Sequence, residues 1–568
     1  MKKLLAALVG AVVLMGSQSS AGAVDFIDEY WTPSAMPNGE GWRSLYIGDN
    51  FTLNREPSTI YAEMTVGSNG TAPVSYHCTT VDSAKCVEST LIGANAFLQP
   101  CSASITTNCI ETFYAIDAAG NRINAVNAVS YPTAATWDFA GNDSINLPVG
   151  GSPTVWNIPG VTHGGGNSDY MIQVWVNSHL QKASNTKVTT EEFYVDNFTV
   201  NITPVTKVYG RYQKQVAQDV TETYGGSGRG VAHPSLDEWR NCAMIDDGHC
   251  QKRQAFPQNY RFGAKVRLHK KITGWLHGRI YDPNATVINT ADGGQTIEVV
   301  ALPVQVPVVG EWYPWSQLTP AIQQYVLDGK TLGGQGIQET KNLATGNFQE
   351  ISNPYGDQAL RSLGLWLPQV KDKASANPST WTFYNLNRYQ LEGADRCITD
   401  ATDLVGFIST NATAYAAGFP TYNKETQSLD YTVMAPHYTS RGEVMQGSYD
   451  LRIRSEIARC IYGFTSAPIQ ASISILSEDG KTQTATETIL EKDGWLSLSA
   501  KGFTFSSPTI RVKLEQAPVV ETPTATASPT PTPTLTPRKV AIICKKGSKK
   551  VSIKALKPHC PVGYKKVG

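Results

Sequence analysis

Met171-Ile-Gln-Val-Trp-Val176, followed by Phe193-Tyr-Val-Asp-Asn-Phe-Thr-Val200, sets the reading of this chain. Both runs are built from β-branched and aromatic residues and are bounded by Gly, Asn, Ser and Thr clusters, the pattern of strands between turns. The same rhythm extends in both directions, from about residue 24 to residue 206, and predicts an N-terminal β domain that holds the first four cysteines. Composition agrees: only 17% of the 568 residues are charged, while 48 Gly, 25 Tyr and 12 Trp suit turn-rich strands better than long polar helices.

Further on, Val266-Arg-Leu-His-Lys-Lys-Ile-Thr-Gly-Trp-Leu-His-Gly-Arg-Ile-Tyr-Asp-Pro283 aligns without a gap on Leu451-Arg-Ile-Arg-Ser-Glu-Ile-Ala-Arg-Cys-Ile-Tyr-Gly-Phe-Thr-Ser-Ala-Pro468. Arg267/Arg452, Ile272/Ile457, Gly278/Gly463 and Pro283/Pro468 are identical, and Asp292-Gly293 and Asp479-Gly480 supply a turn in each copy. Gly364-Leu-Trp-Leu367 echoes Gly494-Trp-Leu-Ser-Leu498, and the strand before Tyr384 echoes Pro508-Thr-Ile-Arg-Val-Lys513. This succession predicts a duplicated β domain, with copies over 207–395 and 396–516. The first is longer by an insertion at 307–356, where Thr319, Pro320 and Gly329 frame a helix. The match to the Trp495 strand, and Pro368, predict that 363–370 is extended.

The ends read differently. Lys2 and Lys3, an apolar run from Leu4 to Met15 and the triplet Ala21-Gly22-Ala23 form a secretory signal over 1–23. The run is too short to span a bilayer, which takes about 20 residues, and no later run reaches that length, so no transmembrane segment is expected in the mature chain. Residues 517–537 are rich in Thr and Pro, a disordered linker favouring polyproline II. After it, 538–568 holds ten Lys or Arg and no acid. Setting those ten and the two signal lysines aside leaves 36 basic against 48 acidic residues, so a basic pole follows an acidic body.

Ten cysteines in an exported chain read as five disulfides. Cys78 with Cys86, Cys101 with Cys109 and Cys242 with Cys250 are spaced as loop staples; Cys397 with Cys460 closes a long loop and Cys544 with Cys560 locks the tail. The first four allow three pairings. The fold class predicted is thus mainly β: several β-sandwich-like domains, two related by duplication, a short helical insertion, the linker and a small disulfide-closed C-terminal β-hairpin.

Catalytic templates are missing. Gly329-Lys330-Thr331 and Gly480-Lys481-Thr482 lack the earlier glycine of a phosphate loop, and there is no His-Glu-x-x-His. His163-Gly164-Gly165-Gly166 has the look of an oxyanion loop without a Gly-x-Ser-x-Gly elbow to serve, and reads as a turn. Asp246, Asp247 and His249 between Cys242 and Cys250 are metal-ligating types at a spacing that matches no common zinc site, so the loop is assigned to a disulfide, with no metal and no cofactor expected. Trp312, Tyr313 and Trp315 around Pro314 are candidates for stacking a sugar ring. Lys545, Lys546, Lys549, Lys550, Lys554, Lys557, Lys565 and Lys566 are candidates for anionic-polymer binding, concentrated by a hairpin turn at Gly547.

Ile543-Cys-Lys-Lys-Gly547, with Lys557-Pro-His-Cys-Pro-Val-Gly-Tyr-Lys-Lys566, resembles the terminal Cys-x-Lys-Gly…Pro-x-Cys-Pro-x-Gly-Tyr-Lys module of exported actinobacterial proteins. The block from Tyr449 to Pro468 is similar to one in large uncharacterised members of that group. The resemblance implies cell-surface or extracellular placement, carries Cys544 and Cys560 over directly, and brings no catalytic residues. The expectation is a secreted, envelope-associated structural or adhesion protein whose basic module holds an anionic envelope polymer. Carbohydrate binding or degradation is the alternative, and weak non-specific nucleic-acid binding through the tail a further one.

Overall fold

The computed structural model describes residues 58–66, 72–133, 138–214, 242–328, 346–386, 394–465, 469–476, 482–483, 486–505, 509–516 and 539–567, with short pieces at 26–27, 37–38, 41–48, 216–218, 230–231, 337–338 and 390–391. The expected signal, the 517–537 linker, the 479–480 turn and Gly329 lie outside the described residues. The chain divides into two compact units, Met1–Gln516 and Ala517–Gly568.

The larger unit is organised by one 16-stranded sheet. Its main strands are β1 (Thr59–Val66), β2 (Ala72–Cys78), β3 (Leu91–Phe97), β4 (Asp169–Gln181), β5 (Tyr194–Tyr209), β6 (Gly274–Arg279), β7 (Ser379–Asn385), β8 (Leu404–Thr410), β9 (Gly447–Arg454), β10 (Thr486–Lys492) and β11 (Trp495–Phe503). Across the sheet they run β10-β11-β9-β8-β6-β7-β5-β4-β3-β1-β2. All these neighbours pair antiparallel except β6 and β8. β4 and β5 are its long centre, with Ile172 opposite Ile202 and Val174 opposite Val200. Polar residues buried there pair with one another: the Asn177 amide donates to Asn95 at 2.9 Å and the Asn201 amide to Gln173 at 3.1 Å. These bonds tie β3 to β4 and β4 to β5 and offset part of the cost of burying the amides.

Two smaller sheets cover this one. The first contains Cys109–Ile116, Arg261–Leu268, Tyr281–Asn289 and Gln295–Leu302. Its alternating Phe262, Ala264 and Val266 meet Ile172, Val174, Phe198 and Val200 from β4 and β5 in one apolar core. The second contains Ser428–Met434, Ile469–Leu476 and Thr509–Gln516, and packs Tyr431, Ile473 and Val512 on Tyr449, Leu451 and Leu498. The chain is therefore mainly β, with two sandwich-like cores sharing one sheet. The boundary expected at 206/207 falls inside β5, which runs to Tyr209, and β5 pairs with β7 across it.

The two aligned blocks do not share a local fold. The block at 266 begins in a covering sheet and continues into β6, whereas its partner begins in β9 and turns into helix α5 (Ser455–Tyr462); α1 (Ala84–Glu88), α2 (Pro320–Leu327), α3 (Asp357–Trp366) and α4 (Arg396–Thr399) precede it. Ile457, Ala458 and Ile461 lie on one helical face, and Gly463 at φ +67° ends the helix as a left-handed cap. A second correction concerns 363–370. Residues to Trp366 are in α3, which buries Ala359, Leu363 and Trp366. Pro368 lies beyond the last helical residue, a position where proline stops a helix without entering it.

The insertion pairs with a distant strand. Trp42–Ile47 is flanked by Val309–Pro314 and Phe348–Ser352, and α2 and α3 pack Ile322, Leu363 and Trp366 on Leu45 and Ile47. α2 starts as its residues foretell, Thr319 accepting from the Ile322 N–H with Pro320 in the first turn.

Candidate functional site

All five disulfides join the cysteines paired by spacing, and local pairs settle the first four: Cys78–Cys86, Cys101–Cys109, Cys242–Cys250, Cys397–Cys460 and Cys544–Cys560. The loop between Cys242 and Cys250 is a staple. Its His249 ring shares a 2.6 Å hydrogen bond with the Tyr131 hydroxyl, and Asp246 accepts from the Asp247 N–H at 2.9 Å. No group of three or more His, Cys, Asp or Glu arranged to hold a metal occurs among the described residues. His163 is buried and accepts from the Gly165 N–H at 3.0 Å, which closes a turn.

The C-terminal module is a three-stranded sheet of β12 (Val540–Lys546), β13 (Lys549–Ala555) and β14 (Lys565–Lys566), in the order β13-β12-β14. Gly547 at φ +60° opens the two-residue turn between Lys546 and Lys549, the first central position, where type II′ hairpins place glycine. Ile542 and Cys544 are buried on one side, and the bond to Cys560 ties the returning segment to β12. All eight candidate lysines are exposed.

Register sorts seven of them. Lys545 lies opposite Lys550 on one side and opposite Lys565 on the other, so these three share a face and a row. Lys554, opposite Ala541, is on the same face by the two-residue period. Lys546, Lys549 and Lys566 fall on the other face, with Cys544. Lys557 follows β13 in the loop that leads to Cys560.

Trp312, Tyr313 and Trp315 do not form one platform. Trp312 and Tyr313 are neighbours in the Val309–Pro314 strand and point to opposite faces. Tyr313 packs 6.3 Å from Trp366, and Trp315 joins the same core beneath the Arg43 guanidinium, 5.7 Å away. All three rings are half-buried.

Sequence reasoning missed a cleft of about 490 Å³ at the start of β5, with a floor of Phe193, Leu386 and Ile398. Tyr194 stands at its lip, 57% exposed, beside the His179 ring. Asp196, also lining it, is fixed by His179 Nδ1 at 2.6 Å. Nothing local in the sequence marks it, because 193–196, 270–274, 385–386 and 398–401 meet only through the large sheet. A second concentration of polar groups lies in enclosed core: His277 stacks on Tyr415 at 4.3 Å, with the buried Arg279 guanidinium also 4.3 Å from that ring. Burial pushes the His277 imidazole well below its ordinary range.

No protein family, curated protein or solved structure matches the chain.

Proposed function

We propose that this is an exported, non-enzymatic binding protein of the cell envelope, held there by its C-terminal module through an anionic polymer, with residues 24–516 as its displayed part. One observation carries the reading: a disulfide-closed module holds nine lysines within 539–568, seven of them in its strands, and no acidic side chain to neutralise them. Paired disulfides throughout the chain support an oxidising compartment. Cations fixed in one small body bind a polyanion with less ordering cost than the same charges on a loose tail, and such binding weakens with salt. Replacing Cys544 and Cys560 together by Ser tests this. Charge is unchanged, so reduced retention on cells supports the pre-organised module, and undiminished retention contradicts it.

A second reading is glycan binding, and the cleft beside Tyr194 favours it over the Trp312 region. An exposed aromatic face next to an anchored carboxylate offers stacking and hydrogen-bond acceptance to a sugar ring. Loss of oligosaccharide binding in Tyr194→Ala would support this; retained binding would reject that site.

A further inference from the structure

We propose that Lys550, Lys545 and Lys565, three abreast on one face of the module with Lys554 beside them, form the seat for a linear phosphate-bearing polymer; this rests on the attachment reading above. The row carries a cost. Like charges directly opposite in a sheet destabilise it, yet Lys545 faces a lysine on both sides. No acidic residue in 538–568 relieves the row. A ligand with successive negative groups converts that repulsion into attraction.

The row fixes the orientation of the ligand. Adjacent strands lie about 4.8 Å apart, so the three lysine stems are set across about 10 Å, perpendicular to the strands. A polymer crossing β13, β12 and β14 meets one cation per strand. The opposite face carries one like-charged pair at the turn, Lys546 opposite Lys549, while Lys566 lies opposite Cys544, which is buried there with Ile542.

Lysine chemistry selects phosphate. Every cation of the described module is a lysine. Arginine's planar fork suits bidentate carboxylate recognition, whereas an ammonium acts as a compact point charge with rotatable donors, tolerant of how a phosphate is turned. A surface that tolerates ligand geometry suits a repeating polymer. A bilayer fits less well, because 539–568 contains no Trp or Phe to seat at a membrane interface.

The test uses the full chain and immobilised long-chain inorganic polyphosphate at about 0.15 M salt. Lys545→Glu with Lys565→Glu is compared with Lys546→Glu with Lys549→Glu; both pairs change net charge equally, and intact mass confirms the Cys544–Cys560 bond in each. The first pair is expected to weaken binding at least about tenfold and flatten the dependence of log K on log salt, the second by less than about threefold. Equal losses would overturn the face assignment and leave attachment standing. No loss from either pair would overturn attachment itself. Tighter binding to phosphatidylglycerol vesicles than to polyphosphate, at equal phosphate, would replace the polymer with a bilayer. Lys545→Thr separates ligand contact from folding: it should weaken binding while slowing amide exchange in β12 and β13, and faster exchange would refute the like-charge argument.

Discussion

Glu350→Gln should reverse part of the pH dependence of the larger unit's stability. Glu350 lies in the Phe348–Ser352 strand opposite Leu45, is 7% exposed, and has the Ser362 hydroxyl donating to it at 3.4 Å. Burial raises its pKa from 4.5 to about 7, against a smaller lowering by Ser362. Between these values the folded protein keeps a proton that the unfolded chain releases, so folding loses stability as pH rises through the window. With about 1.4 kcal/mol per unit of difference, the loss between pH 5 and pH 8 is about 2.5 kcal/mol. Gln retains the volume and the acceptor but does not titrate. The measurement is urea unfolding followed by Trp fluorescence at both pH values, with amide exchange across 43–47 reporting on this sheet. The variant should gain about 2.5 kcal/mol on wild type between pH 5 and 8. Parallel curves would refute the buried-acid reasoning.

His277→Phe should act on the acid side. The folded imidazole stays neutral while the unfolded one protonates below about 6.5, so wild-type stability falls with pH there by up to about 1.4 kcal/mol per unit; the variant's thermal midpoint should fall less steeply, and an unchanged slope would count against it. Gly406→Ala brings a Cβ to 2.0 Å from the buried Trp275 ring, so its urea midpoint should drop by the equivalent of about 1–3 kcal/mol; a wild-type midpoint would contradict this packing. Replacing Cys397 and Cys460 by Ser opens a loop spanning 63 residues and should cost about 4 kcal/mol, read by the same titration, with a loss near zero as the opposing result.

What local chemistry sets was legible in the residues. Cysteines eight apart can staple only a short loop, Thr319 and Pro320 make a helix start, and Gly547 between lysine-bearing strands makes a hairpin. Alternation in Met171–Val176 announced strands. Pairing over long separations was hidden: Arg43 meets Tyr313, and β6 lies parallel to β8, through contacts that no window of sequence contains. The apparent repeat misled for the same reason. Leu276 in β6 and Ile461 in α5 occupy the same aligned position, and the partners available to each, not the pattern, decide which element forms. The lysine row was half legible, since charge and turn could be read, but the face each lysine occupies depends on the register of β14.

The attachment account is tested most directly by partitioning the full chain and a chain ending at residue 516 between cells and medium, across a salt series. The account predicts that only the full chain sediments with cells at low salt and that it is released as salt rises. Equal retention of the shorter chain, or retention of the full chain that salt does not change, would contradict it.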